Sequence, residues 1–430
     1  MTLGSFVEWM LVIVSIALLV MAIMTLVWML HAWSDQENYR ESVLESKEPQ
    51  SWQFISLLLP ARHEELVLGE TVSRIMAIDY PNFELILIIG HDDVDTMAMA
   101  QGFAKQWPSR LKVVTDYSWP KSKPSALNSG LQYCRGSIIG VVDAEDHVAP
   151  RILHEVAKGF IDPEVAVVQG SVQLINHRSK WFSLRNCMEY YLWYRSRLLW
   201  QVKTGFIPLG GNTVFFRLDA LEKAGGWDGE CLTEDCDLGI RLGVAGATVK
   251  VLFSPEIATL EETPLDLKGF IKQRTRWNQG FLQVAKKAEW KSLPRRSQRI
   301  MAAYTLFTPV YQAVTFFGYG LMVLGFLQLR MGENRALVLF APLLANVLVA
   351  ALELTVLSEF KRDFKLKITF RDYAWLILST VPFQFLLSWS ALRAVVRELR
   401  GVHSWEKTAH AGLHRSPVQA GLSQQVALDG

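Results

Sequence analysis

No charge of one sign dominates this 430-residue chain, because 44 basic residues stand against 42 acidic ones. A bulk electrostatic footprint for nucleic acid is therefore excluded, and any anionic ligand must be held by a local site. Charge of either sign is scarce: 20% of residues carry it while 50% are hydrophobic, and the mean hydropathy is slightly positive. That balance is unusual for a purely soluble enzyme. Cysteine is scarce too. Cys134, Cys187, Cys231 and Cys236 form no CxxC pair and no metal-finger spacing, which reads as reduced structural thiols with the polar part of the chain in the cytosol. No GxGxxG or GxxxxGK(S/T) follows a strand-like run, so Rossmann dinucleotide binding and a P-loop are disfavoured.

The apolar residues cluster at the two ends of the chain. Met10 to Leu30, "MLVIVSIALLVMAIMTLVWML", carries no charge and is long enough to cross a hydrocarbon core of about 30 Å as a helix. It reads as an anchor rather than a cleaved signal peptide, since no basic n-region or small-x-small cleavage site accompanies it. Three further segments follow: Ile300 to Gln328, Ala336 to Ser358 with a lone Glu353, and Tyr373 to Leu392. Arg and Lys crowd both Phe360 to Arg371 and the region after Leu392 (Arg393, Arg397, Arg400), which favours the cytosolic side for both. A full crossing by Tyr373 to Leu392 conflicts with that. Pro382 is therefore expected to bend that segment or make it re-entrant, and Pro309 to split the second segment into an interfacial and a crossing helix.

Between these ends, strand-like runs alternate with helical patterns. "FISLLLP" (Phe54 to Pro60), "FELILIIG" (Phe83 to Gly90), "LKVVT" (Leu111 to Thr115) and "SIIGVV" (Ser137 to Val142) predict a mostly parallel sheet with helices on its faces. In such sheets ligands bind beyond the carboxyl ends of the strands. Polar residues follow each run. The last is "VVDAEDH", where Asp143, Glu145 and Asp146 arrive together as either a metal and phosphate site or a solvated turn. Further on, "LTEDCDLG" puts Glu234, Asp235 and Asp237 before a helix, as catalytic acids or as decoration of a Thr233 cap. "FIKQRTRWNQGF" combines Gln273, Arg274, Arg276 and Trp277, side chains suited to a diphosphate and a sugar face.

Taken in order, "DD" after the second strand, "KPSALN", "DAE", "TED" and "QRTRW" resemble the membrane-integrated family 2 glycosyltransferases, the group of cellulose, hyaluronan and poly-N-acetylglucosamine synthases. "LGGNTVFFR", "GGWD" and "WEKT" (Trp405 to Thr408) are also similar to that family. The resemblance covers about Ser51 to Val284 and implies a GT-A-like α/β fold. It also implies an inverting transfer from a nucleotide-sugar donor, most readily a UDP-sugar, to a growing β-linked polysaccharide. A single addition to a membrane lipid is the alternative; a transporter with a regulatory domain and a two-carboxylate glycoside hydrolase are more distant ones. The residue roles implied are Asp92 and Asp93 at the base and ribose, Lys123 at the diphosphate and Asn128 in the substrate site. Asp143 and Glu145 would hold Mg²⁺ or Mn²⁺, with Glu145 replacing the usual second Asp by a hard oxygen donor on a longer arm. Asp235 and Glu234 would be the catalytic acids, with Asp235 the base, and Gln273, Arg276 and Trp277 would bind the acceptor end and steady the leaving diphosphate.

The implied organisation is a membrane anchor over residues 1–33 and a cytosolic transferase domain over 34–290. Interfacial and transmembrane helices follow over 291–400, then a polar, mobile tail over 401–430. The protein is expected in the plasma membrane, with membrane lipids as neighbours. "KSLPRRSQR" (Lys291 to Arg299) reads as a positive-inside flank or as a helix on an anionic surface.

Overall fold

The computed structural model describes residues 3–34, 49, 51–328 and 333–403. The "WEKT" motif and the expected mobile tail lie outside the described residues. The first three apolar runs form parallel strands β1 (Ile55–Ala61), β2 (Phe83–Gly90) and β3 (Leu111–Asp116), and β4 (Ile138–Val141) joins the other side of β1 in parallel. Beyond β4 the sheet continues with β5 (Val165–Gly170), β7 (Val214–Arg217) and β8 (Thr248–Leu252), in the order β3-β2-β1-β4-β7-β5-β8. Only β7 runs antiparallel to its neighbours. A separate parallel pair, β6 (Val172–Leu174) with β9 (Thr259–Glu261), stands beside it.

The near-continuous apolar runs of β1 and β2 follow from burial on both faces. Leu57, Leu59, Leu85 and Leu87 meet one layer of helices through Leu68, Val72, Ile75 and Val156. Leu58, Ile86, Ile88 and Val141 meet the other through Leu127, Leu184 and Tyr191. All four cysteines are free thiols, three of them buried; burial pushes Cys134 and Cys231 up to about 12, so they are inert packing groups.

Among the described residues, three helices are long and apolar enough to cross a membrane, over Trp9–Ser34, Arg296–Gly318 and Ala341–Asp363. Ile13, Ile16, Val20, Ile23 and Leu30 stand exposed along the first, as side chains facing lipid would. Pro309 does not split the second span, for the helix runs unbroken from Arg296 to Gln328; a proline without its N–H is tolerated where neighbouring helices carry the packing. The expected bend does occur. Phe370–Leu378 and Thr380–Leu399 meet at 47°, three residues before Pro382. Both ends of this bent pair are tied to the globular part. Asp372 pairs with Arg178 at 2.6 Å, Glu398 pairs with Lys286 at 2.6 Å, and Arg397 Nε donates to Gln279 Oε1 at 3.0 Å. Glu353, midway along the third of these helices, pairs with Arg185 at 2.7 Å.

Candidate active site

The acids after β4 divide by burial. Asp146 is fully buried, accepts from the Asp143 backbone N–H at 2.8 Å and from Asn212 Nδ2 at 3.0 Å, and so fixes the turn that presents Asp143 and Glu145. Those two side chains are half-buried. Glu261, the last residue of β9, shares the Asn212 amide. Burial, reinforced by Glu145 and Asp143, raises Glu261 to about 7, and burial with Glu261, Asp143 and Glu145 holds Asp146 well above the usual carboxylate range. Such crowding of hard oxygen donors suits Mg²⁺ or Mn²⁺.

Lys123 opens the helix Lys123–Leu131, whose cap Ser122 accepts from Ser125 N–H at 3.4 Å. Its Nζ forms an ion pair with Asp143 and donates to Gly211 O at 2.8 Å. Burial alone would lower its pKa, but the Asp143 and Glu234 carboxylates raise it, so the ammonium keeps its charge. Gly211 stands where two chains converge: a Cβ there would lie 3.3 Å from Asp235 Oδ2 and 3.7 Å from Lys123 Nζ. Gln169 Oε1 accepts from Gly210 N–H at 2.8 Å and holds that loop in place.

Glu234 and Asp235 start the helix Glu234–Val244, but Thr233 makes no side-chain cap. The expected capping role is therefore incorrect. The helix Leu267–Lys287 packs onto Thr233 through Gly280, where a Cβ would lie 2.7 Å from Thr233 N. Glu234 is 4% exposed, whereas Asp235 is half-exposed and accepts from Cys236 N–H at 2.7 Å. Burial and the neighbouring Asp235 raise Glu234 to about 7. Burial also raises Asp235, against the pull of the Cys236 N–H, Lys123 and Arg276. Thus Arg276 faces the same acids as Lys123. Gln273 Oε1 is buried with no hydrogen-bond partner among the described residues. The Trp277 ring lies 4.7 Å beneath the Arg274 guanidinium, which bonds Asn186 (2.5 Å) and Glu189 (2.6 Å), and 6.3 Å from the Tyr190 ring.

Asp92, Asp93 and Asn128 each have partners within the protein. Asp93 caps the helix Val94–Gln106, accepting from Thr96 N–H, and also accepts from His63 N–H at 2.6 Å; it is 2% exposed and orders the loop. Asp92 is the open one of the pair, between Arg62 (2.9 Å) and Lys121 (2.7 Å), whose hydrogen bond holds it below its ordinary range. Asn128 donates to Trp227 O at 2.6 Å and accepts from Trp227 N–H at 3.0 Å. Both ends of its amide therefore pin the turn of Gly225 and Gly226, which have φ of 81° and 72°. His63, Glu65 and Asp93 bring three ligand-type atoms within 4.8 Å of one another, apart from the acids after β4.

Sequence reasoning did not single out Glu261, Asn212, Tyr190 or Tyr194. Tyr194 senses Tyr190, Glu261, Asp235 and Asp146 together, which places it against both acid groups. Of the four, Asn212 alone lies in a quoted motif, "LGGN", which was noted for likeness and given no role.

A model of the family described as glycosyltransferase like family 2 matches residues 49–280, more than half of the chain. A β-monoglucosyldiacylglycerol synthase of Trichormus variabilis is 31% identical over 54% of this chain and 49% of its own length, so the chain spans about half of that relative. A poly-β-1,6-N-acetyl-D-glucosamine synthase of Staphylococcus epidermidis is 25% identical over 68% and 69% of the two chains. Among solved structures, a Pyrobaculum calidifontis mannosyltransferase in complex with GDP-Man and Mn²⁺ superposes with a TM-score of 0.60 at 17% identity, covering 90% of this chain and 99% of that one; this likeness shows the fold, a GT-A-like sheet with flanking helices. The chain belongs to glycosyltransferase-like family 2 and is a nucleotide-sugar-dependent glycosyltransferase.

Proposed function

We propose that the enzyme is an inverting, membrane-bound hexosyltransferase that extends a β-linked polysaccharide from a nucleotide-sugar donor, most readily a UDP-sugar. The observation that carries this is the meeting of Lys123, Asp143 and Asp235 around Gly211, with Arg276 acting on Asp235. An acceptor hydroxyl titrates far above neutral pH, so a carboxylate within reach must take its proton as it attacks the anomeric carbon. Asp235 is that base, because it is the more accessible of its pair. Attack opposite the leaving group inverts the centre, and an α-linked donor gives a β-linked product.

Asp143 and Glu145 would hold Mg²⁺ or Mn²⁺, which supplies positive charge to the diphosphate of the donor. Lys123 and Arg276 add fixed positive charge for the departing nucleoside diphosphate. Gln273, with its open carbonyl, and Trp277, braced by Arg274, form the acceptor platform of a QxxRW-type enzyme. Asp92 is the donor-side acid.

Ser34, Arg296, Asp363 and Leu399 end their helices toward the globular part, among Lys361, Arg362, Arg397 and Arg400. Positive charge of this kind marks the cytosolic face, which supports a plasma-membrane enzyme with its catalytic part over 34–290 in the cytosol. The anchor is then residues 1–33, and the remaining interfacial and spanning helices lie over 291–400.

A lipid acceptor is the second reading. Three spanning helices and a bent pair tied down at both ends leave little to enclose a polymer conduit, and one relative is named for a glycolipid product. Nucleoside-diphosphate release across a panel of UDP- and GDP-sugars identifies the donor, and the product on a gel separates the readings. A ladder supports the polysaccharide; a single lipid-soluble product replaces it with the glycolipid. Release from no sugar nucleotide overturns both.

A further inference from the structure

One half-buried cation, Arg197, has no part in the chemistry above. Arg197 lies on a π-helical turn, Trp193–Leu198, the kind of insertion that takes a side chain out of the regular helical series and often marks a functional position. Its guanidinium is sandwiched between two indoles, 4.5 Å from the Trp28 ring centre and 4.4 Å from that of Trp193. Its hydrogen-bond acceptor is Thr305 Oγ1 at 3.3 Å. Among the described residues no carboxylate pairs with it, and burial lowers its pKa to about 10. Two donors at this place, Arg197 Nε–H and Trp28 Nε1–H, are buried with no acceptor, and Trp28 is only 8% exposed. A charge this enclosed, with donors to spare, is set for an anion.

Depth in the fold says which kind. Trp28 stands about 9 Å from the globular end of its spanning helix and Thr305 about 14 Å from the start of its own, at 1.5 Å per residue. Both are the depth of lipid headgroups and upper chains. At the start of the same helix Lys291, Arg295 and Arg296 are exposed and give the mouth a positive potential. Soluble anions reach such a depth poorly, whereas a phosphodiester on a lipid is already there.

We propose that Arg197, flanked by Trp28, Trp193 and Thr305, is a binding site for the phosphate of an anionic membrane lipid, separate from the transfer site and independent of the acceptor's identity. The full-length protein is equilibrated in micelles holding equal phosphatidylglycerol and phosphatidylcholine, and retained lipid is counted by native mass spectrometry. The expected preference for phosphatidylglycerol is about tenfold, the order of one charge-assisted hydrogen bond, falling to near equality in Arg197→Gln. Arg197→Lys, which keeps the charge and loses the fork, should lose most of the preference and serves if the glutamine variant does not fold. Preference unchanged in folded Arg197→Gln or Arg197→Lys, or no preference in the wild type, overturns the site. Displacement of the retained lipid by inorganic phosphate overturns the lipid assignment in favour of a soluble anion.

Discussion

Asp235 and Glu234 are adjacent carboxylates that burial holds above their ordinary values, and the charge of Asp235 adds to the rise of Glu234. A base works only when deprotonated, so a raised pKa moves the acidic loss of activity to higher pH. The rate is expected to begin falling at a pH above the range of a free carboxylate, because burial raises Asp235. Glu234→Gln removes the like charge, lowers the pKa of Asp235 and moves the acid limb of kcat/KM to lower pH. A pH profile of that variant superposing on the wild type contradicts the coupling. Asp143, Glu145 and Asp235 were legible in the sequence because acids directly follow a buried strand or precede a helix. Glu261 was not: it joins Asp146 through Asn212, across more than a hundred residues, and nothing local distinguishes it. The backbone partners of Asp93 and Asn128 were not legible either, because only the fold reveals which groups such side chains satisfy.

Two contacts between elements carry the site's placement. Gly280 lets the helix of Arg276 and Trp277 lie directly on Thr233 beside the catalytic acids. Gly280→Ala gains about 1 kcal/mol of helix propensity but must push those helices apart, for a net cost of about 1–2 kcal/mol and a larger relative loss in turnover, measured by melting and by nucleotide release. The Arg185–Glu353 pair joins the globular part to a spanning helix. Glu353→Ala leaves Arg185 buried without its partner and is expected to cost about 3–5 kcal/mol, while a double replacement by Leu and Met recovers most of it. β1 to β4 were legible because apolar runs of strand length alternate with helical periods. The antiparallel β7 was not, since its short "VFFR" carries no directional signal, and direction is set by which neighbours its edge meets.

For the molecule as a whole, charge in the cleft links stability to pH and metal. Glu234 and Glu261 titrate near 7 in the folded chain against an ordinary 4.5. Folded protein therefore holds protons that the unfolded chain has released between those values, and their contribution to stability is lost as pH rises through 7. After chelator treatment and removal of the chelator, Mn²⁺ addition is accordingly expected to raise the melting temperature more at pH 8 than at pH 5.5; an equal shift at both contradicts a cation among these acids. The long apolar helices were legible from hydropathy alone, while the attachment of the bent pair to the globular part depends on contacts such as Arg178–Asp372, distant in sequence. The central claim is that residues far apart in the chain form one cleft in which Asp235 takes the acceptor's proton. Its most direct measurement is nucleoside-diphosphate release by Asp235→Asn beside the wild type at equal nucleotide binding. A fall of about 10²- to 10⁴-fold is predicted; turnover within about threefold of wild type, a difference far below that expected of a general base, contradicts it.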